Sequence, residues 1–149
     1  KFRLLKYLFG QTKETSFINK TLMNTSKRIK NGKPVTPVFL FAVFLWSAQN
    51  KRFNELNKKK KSRILLMMQA SEDVISKQTK QVLMPRWLSN RVKDIWLMQY
   101  QLESCSQKKA KELIAHPRFR MAYDFLVLRS ESINPELAER AQYWTMLQQ

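Results

Sequence analysis

At 149 residues the chain is the size of a single domain, and 44% hydrophobic residues are enough to build a core. Its 28 lysines and arginines against 11 acidic residues give a formal net charge of +17 at pH 7. This imbalance predicts a polyanionic partner, nucleic acid before an anionic membrane surface, with a merely solvated basic surface as the alternative. One cysteine excludes an intramolecular disulfide, and one cysteine with one histidine excludes the usual metal sites built from those residues.

The glycine content and the apolar runs limit the class of protein further. Two glycines in the whole chain favour helices joined by short loops over sheets joined by tight turns. The longest apolar run, Val35–Trp46, is about two thirds of a bilayer span, and no signal-peptide pattern precedes it. We therefore expect a cytoplasmic protein without membrane attachment. Because the chain starts at Lys1 in the middle of a helical pattern, we also expect a piece of a longer protein.

The first third of the chain predicts helices separated by glycine and proline. Apolar residues at helical spacing predict a short first helix that stops at Gly10 and a second helix from Ser16 to the turn Asn31–Pro34. Thr36-Pro37, a capping hydroxyl before proline, predicts the start of a central helix that continues through Leu56. The run Lys58–Lys61 repels itself and predicts a loop or a frayed helix end.

The remaining residues predict further helices and no strand. Their predicted bounds are Arg63–Leu83, Arg86–Ser104 with Pro85 before it, Gln107–Ala115 capped by Ser106, a helix after His116-Pro117, and a last helix from Asn134-Pro135 through Leu147. No convincing alternation of apolar and polar residues interrupts this pattern. The predicted fold class is therefore all-α, a multi-helix array of about seven or eight helices joined by short proline-marked loops.

The basic residues are unevenly spread along the chain. Residues 1–63 hold 16 of the 28 lysines and arginines but only two of the 11 acidic residues. The second half holds the most compact candidate site, Lys108–Arg129. This stretch opens with a lysine cluster, breaks at His116-Pro117 and resumes as an aromatic and aliphatic helix that carries arginines. A corner of this kind presents cations to a polyanion from a rigid helical frame.

Residue types that carry chemistry are sparse. Neither glycine lies in a phosphate-cradling motif. The adjacent carboxylates Glu72-Asp73 diverge by about 100° on a helix and cannot easily share a metal. The spacing of Cys105 and His116 leaves a nucleophilic pair open, but nothing else supports one, and His116 before Pro117 is typical of a corner residue. We expect no catalytic residue, no metal and no cofactor in this chain, and therefore no enzyme activity of its own.

Four blocks of residues fall in the order found in one known family. They are Asn24-Thr25 with Arg28, Val35–Pro37, Phe39–Ala42 and Leu45-Trp46; Pro85-Arg86 with Asp94–Trp96 and Gln99; His116–Arg120 with Ala122–Asp124 and Leu128-Arg129; and Trp144 near a terminal glutamine. Together they resemble the C-terminal region of the bacterial poly(A) polymerases over roughly residues 22–149. The resemblance implies a class II nucleotidyltransferase with a catalytic head followed by a helical neck, body and leg.

This resemblance implies a function for the longer protein and a role for this chain. The longer protein would add adenylates from ATP, with a metal such as Mg²⁺, to single-stranded RNA 3′ ends in a catalytic head outside this chain. Residues 1–83 would belong to the body and 84–149 to the C-terminal leg, both associated with RNA binding; protein partners are not predicted. The alternatives are the C-terminal region of a CCA-adding tRNA nucleotidyltransferase, or a basic helical module that docks on a protein or membrane.

The resemblance and the charge pattern together select candidate RNA-binding residues. They are Lys108, Lys109, Lys111, Arg118, Arg120 and Arg129, with Arg86 and Lys93 as a weaker second patch. Contacts from such residues to the RNA backbone are largely independent of sequence and sensitive to salt. The alternative for most of them is an exposed helical face without a ligand, and for Arg129 an ion pair with Asp124 or Glu131.

The aromatic residues are predicted to build the core. Phe119 and Tyr123 lie at helical spacing, which favours packing, although aromatic side chains also stack on bases in proteins that bind single strands. Trp46, Trp96 and Trp144 are likewise predicted to be core residues.

Overall fold

In the computed structural model, which describes residues 12–33, 36–57 and 62–149, the chain is helical and the described part contains no strand. The helices are α1 (Thr12–Lys30), α2 (Pro37–Phe44), α3 (Trp46–Leu56), α4 (Arg63–Thr79), α5 (Arg86–Ser104), α6 (Gln107–Ala115), α7 (Phe119–Ser132) and, after the 3₁₀ turn Pro135–Leu137, α8 (Ala138–Leu147). The all-α prediction is confirmed. The predicted first helix and the run Lys58–Lys61 lie outside the described residues.

Some helix bounds differ from those that the sequence predicts. Helices α5 and α6 have the predicted bounds, whereas α4 ends at Thr79, four residues before its predicted end. The predicted helix from Pro37 to Leu56 is divided at Leu45, where α2 packs against α5 and α3 packs against α4. The predicted caps Thr36 and Ser106 occupy the position before their helices, but neither side chain makes a capping hydrogen bond.

The end of α1 depends on a glycine with a positive φ. Gly32 has φ +67°, and the turn is closed by the backbone N–H of Lys33, which donates to the carbonyl oxygen of Arg28 at 2.8 Å. This is the left-handed ending that glycine adopts without steric penalty. It confirms the turn predicted after the second helix for the residues that the structure describes.

The main core takes residues from α1, α2, α3, α4, α5 and α7. Phe125 is fully buried, and the rings of Phe17 and Trp46 pack edge-to-face against it with centroid distances of 5.7 and 5.3 Å. Trp96 of α5 is also fully buried and donates its indole N–H to the carbonyl oxygen of Ala42 at 3.0 Å. This core takes residues from both sides of the predicted boundary at residue 83, and the division into two domains stays a prediction.

A second core fixes α8 against the ends of α5 and α7. Trp144 is fully buried and donates its indole N–H to the carbonyl oxygen of Leu102 at 2.8 Å. Arg140 donates to the carbonyl oxygens of Leu102 and Cys105 at 2.6 and 2.7 Å. These bonds satisfy carbonyl groups that the end of a helix leaves free, so they fix the joint between α5 and α6. The predicted core positions of Trp46, Trp96 and Trp144 are confirmed.

Candidate nucleic-acid interface

Helix α6 exposes the three predicted lysines Lys108, Lys109 and Lys111. Its inner side buries Ala110, which packs in the same cluster as Trp144. Within the described part of the chain, no carboxylate forms an ion pair with any of the three ammonium groups. Three neighbouring cations are therefore presented to solvent by a helix whose opposite side is anchored.

His116 shapes the corner between α6 and α7. Its extended backbone ends α6, as expected for a residue before proline. Its imidazole Nδ1 accepts a hydrogen bond from the backbone N–H of Arg118 at 3.0 Å, and its carbonyl oxygen accepts one from Phe119 at 2.9 Å. The predicted corner role is confirmed. Cys105 lies at the other end of α6, about 13 Å away along the helix, so the two do not form a nucleophilic pair.

Arg118 is held between α5 and α7. Its Nε lies 3.7 Å from Asp94 Oδ2, beyond hydrogen-bond distance, and this buried Nε has no hydrogen-bond partner among the described residues. The side chain is 32% exposed. The guanidinium is thus oriented by the fold but only weakly neutralised, which leaves its remaining N–H groups free to meet an anion.

Arg120 of α7 and Arg28 of α1 both act on the carboxylate of Asp124. Arg120 is exposed, with 75% of its side chain accessible, and its Nε lies 3.5 Å from Asp124 Oδ1. Burial raises the pKa of Asp124, while the positive charges of Arg120 and Arg28 lower it. Arg28 therefore lies close enough to act on the same carboxylate, and it belongs to the basic last turn of α1.

The surface formed by these residues is called the basic corner below: Lys108, Lys109, Lys111, Arg118, Arg120 and Arg28. Arg28 was not among the predicted site residues. The sequence shows an excess of positive charge in the first half, but only the packing of α1 on α7 reveals where that charge lies.

Arg129 is placed inside the fold. It is 6% exposed, and its Nη1 lies 2.8 Å from Glu103 Oε1 and 3.0 Å from Gln99 Oε1. Its guanidinium also lies 4.6 Å from the centroid of the Trp46 ring. Burial lowers the pKa of Arg129, and Glu103 raises it. These contacts make Arg129 a core residue, and its acidic partner is Glu103 instead of the predicted Asp124 or Glu131.

The weaker predicted patch, Arg86 and Lys93, is only partly available to a ligand. Arg86 is exposed at the start of α5, but Lys93 is half-buried and its Nζ lies 2.6 Å from Glu72 Oε1. Beside them the structure shows a pair that the site prediction did not include. Trp87 is 53% exposed, and the guanidinium of Arg91 lies 5.3 Å from the centroid of its ring.

The aromatic residues of the corner belong to the fold. Phe119 is buried and contacts Trp144 with a centroid distance of 5.6 Å. Tyr123 is half-buried, lies 6.0 Å from Phe119 in a stacked arrangement, and its hydroxyl pairs with the hydroxyl of Thr145. These contacts agree with the predicted core role.

The paired carboxylates Glu72 and Asp73 point to different partners. Glu72 pairs with Lys93, whereas Asp73 accepts hydrogen bonds from Arg52 at 2.8 Å and Gln69 at 2.9 Å. Among residues 12–33, 36–57 and 62–149 there is no group of three or more histidine, cysteine or acidic side chains that could hold a metal ion. None of the helices described there is long and apolar enough to cross a membrane.

Comparison with known proteins assigns the chain to a family. The family model described as polymerase A arginine-rich C-terminus matches residues 59–149. The chain belongs to this family. The predicted resemblance to the C-terminal region of bacterial poly(A) polymerases is thereby confirmed, and the matches do not favour the CCA-adding alternative.

Individual relatives agree with the family. The chain is 32% identical over 140 residues to poly(A) polymerase I of Escherichia coli O157:H7, a match that covers 91% of the chain and 30% of the relative. It is 30% identical over 141 residues to poly(A) polymerase I of Salmonella typhi, a match that covers 93% of the chain and 30% of the relative. It is 28% identical over 137 residues to poly(A) polymerase I of Haemophilus influenzae, a match that covers 89% of the chain and 30% of the relative. The chain spans about 30% of the length of the curated relatives it matches.

Proposed function

We propose that this chain binds the phosphate backbone of single-stranded RNA through the basic corner, as the RNA-binding C-terminal part of a poly(A) polymerase. The observation that carries the proposal is the row Lys108, Lys109 and Lys111, exposed on an anchored helix and without a carboxylate partner in the described structure. In a chain of net charge +17, a polyanion relieves the repulsion among these cations. Membership of an arginine-rich polymerase family supports RNA as that polyanion.

The basic corner is suited to backbone contacts that do not depend on sequence. The lysines act as point charges for phosphates, and Arg118 and Arg120 offer planar guanidinium groups that can bind a phosphate through two N–H groups. Arg28 extends the same surface onto α1. Arg86 adds a charge at the start of α5, whereas Lys93 is already paired with Glu72. Arg129 is left out because it is buried.

The role of this binding is to hold RNA while a catalytic head extends its 3′ end. In the whole protein that head would supply the ATP and Mg²⁺ chemistry of adenylate addition, and the reaction would take place in the cytoplasm. We assign no catalytic residue, metal or cofactor to the present chain. Its contribution is to raise the local concentration of RNA near the head and to orient the strand.

The proposal is tested by removing the lysine row. We expect the triple variant K108Q/K109Q/K111Q to bind a labelled oligoriboadenylate at least tenfold more weakly than wild type at low salt, because three phosphate contacts are lost. The matched control K20Q/K51Q/R52Q removes the same net charge, but Lys20 and Arg52 already pair with carboxylates. We expect the control to lose much less affinity.

Two outcomes would contradict the proposal. Equal losses in both triple variants would show that only the total charge matters, not the basic corner. Binding to anionic liposomes that RNA does not displace, measured by co-sedimentation, would favour the membrane-docking alternative instead.

A further inference from the structure

The stretch from the end of α4 to the middle of α5 carries cations with no acidic residue among them in the sequence. Between Asp73 and Asp94 the sequence contains no acidic residue. The cations in this stretch are Lys77, Lys80, Arg86, Arg91 and Lys93. Of these, Lys93 pairs with Glu72, while the others form no ion pair with a described carboxylate. This stretch is therefore a second region to which a polyanion is attracted.

A tryptophan stands out among these cations. Trp46, Trp96 and Trp144 are 5%, 0% and 0% exposed, whereas Trp87 is 53% exposed. A large aromatic ring left half in water is informative because such residues are usually buried or in contact with a ligand. Arg91 lies one helical turn later, and its guanidinium lies over the ring at 5.3 Å from the centroid.

This pair lies on the side of α5 that leads to the basic corner. Trp87, Arg91 and Asp94 follow each other at spacings of four and three residues, so they share one face of the helix. Asp94 in turn is the carboxylate that faces Arg118 of the basic corner. Seven residues of helix correspond to about 10 Å, so Trp87 lies about two helical turns from the carboxylate that faces the basic corner.

We propose that Trp87 and Arg91 form a stacking site for an unpaired base of the RNA whose backbone the basic corner binds. This inference rests on the proposed function. Every base has a flat face that an exposed indole can stack on, and a neighbouring guanidinium adds a second planar cation. The phosphates on either side of the stacked base would meet Lys80 and Arg86. An exposed ring beside Arg86 and Arg91, in a stretch that has no acidic residue between Asp73 and Asp94, is complementary to a polyanion with aromatic bases.

The test compares a base-bearing ligand with one of equal charge that lacks bases. The probes are a labelled oligoriboadenylate of about 12 nucleotides and an abasic ribose-phosphate oligomer of the same length. We expect W87L to reduce binding of the oligoriboadenylate by about five- to hundredfold and to leave binding of the abasic oligomer unchanged. W87F, which keeps a flat ring, retains most of the affinity.

The matched control is L83A, since Leu83 is 95% exposed in the same stretch but has no ring to stack. We expect it to bind both probes as wild type does. An equal loss for both probes in W87L, or a loss in L83A as large as in W87L, would overturn the stacking site; the second result would indicate an apolar docking patch for a protein.

A measurement on the unmodified chain gives a second check that does not depend on a folded variant. Trp87 is the exposed tryptophan of the four, so it dominates fluorescence quenching by acrylamide. The oligoriboadenylate should protect it from acrylamide and the abasic oligomer should not. If both oligomers bind in a salt-dependent manner but neither protects the tryptophan, the stacking site is wrong while backbone binding stands. If neither oligomer binds at low salt, the proposed function itself fails.

Discussion

At the residue scale, arginines on the same short segment have different roles because their surroundings differ. Arg120 is exposed and shares one partly buried carboxylate with Arg28. Arg129, nine residues later, is enclosed by Gln99 and Glu103. A guanidinium keeps its charge even when buried, so its burial must be offset by such partners.

The Arg129 cluster predicts a large effect on stability. Replacing Arg129 by methionine leaves the carboxylate of Glu103 without its partner and Gln99 Oε1 without its donor, and we expect the free energy of unfolding to fall by about 3 kcal/mol. Urea unfolding measures the change. The control R120M, at an exposed arginine, should change it by less than about 1 kcal/mol. If folded R129M bound RNA tenfold more weakly than wild type, Arg129 would contact RNA after all.

Asp124 predicts a pH-dependent effect. Because burial raises its pKa above the ordinary 3.8, the folded protein holds this proton more tightly than the unfolded chain, and stability falls as the pH rises through the window between the two pKa values. The variant D124N cannot ionise. We expect wild type and D124N to have similar melting temperatures near pH 3 and D124N to melt higher at pH 7. A lower melting temperature of D124N at pH 7 would show that the attraction to Arg120 and Arg28 outweighs the burial.

At the element scale, the basic corner depends on helices that are not part of it. Helix α8 contacts α7 and, through Trp144 and Arg140, binds carbonyl oxygens at the end of α5. This joint sets the direction in which α6 leaves α5, and hence where the α6 lysines point. The end of α5 is therefore stabilised by Arg140, which lies 38 residues after Leu102 in the sequence.

The contacts of Arg140 at this joint predict a local effect on stability when the residue is replaced. In R140A the carbonyl oxygens of Leu102 and Cys105 lose charged hydrogen bonds, and we expect unfolding free energy to fall by about 2 kcal/mol. Amide hydrogen exchange should accelerate most at the end of α5 and in α8. R140K, with an ammonium group able to reach one of these oxygens, should recover part of the loss. Uniform acceleration across α1 to α4 would contradict this local role.

At the scale of the whole molecule, the sequence predicts the helix bounds that depend on residues adjacent to each other in the chain. The bounds of α5 and α6 follow from Pro85 and Ser106, which separate one helical pattern from the next. Likewise, His116 before Pro117 predicts the corner. The division of the central helix at Leu45 is not predictable in this way, because it depends on α2 and α3 packing against different helices.

The candidate site is predictable only in part for the same reason. The α6 lysines are found from the sequence because their exposure follows from the pattern of one helix. The burial of Arg129 depends on Glu103 and Trp46 from other helices, and the position of Arg28 depends on the packing of α1. The sequence does not separate Trp87 from Trp96, whereas the structure does: Trp87 is 53% exposed and Trp96 is 0% exposed.

The most direct test of the central claim is the salt dependence of RNA binding. For wild type we expect the logarithm of the association constant for oligoriboadenylate to fall linearly with the logarithm of salt concentration, since bound phosphates release counterions. With about 0.7 of slope per phosphate contact on a single strand, K108Q/K109Q/K111Q should reduce the slope by about 2. The control K20Q/K51Q/R52Q should change it by much less. A slope that is the same in wild type and in the lysine variant would contradict binding at the basic corner.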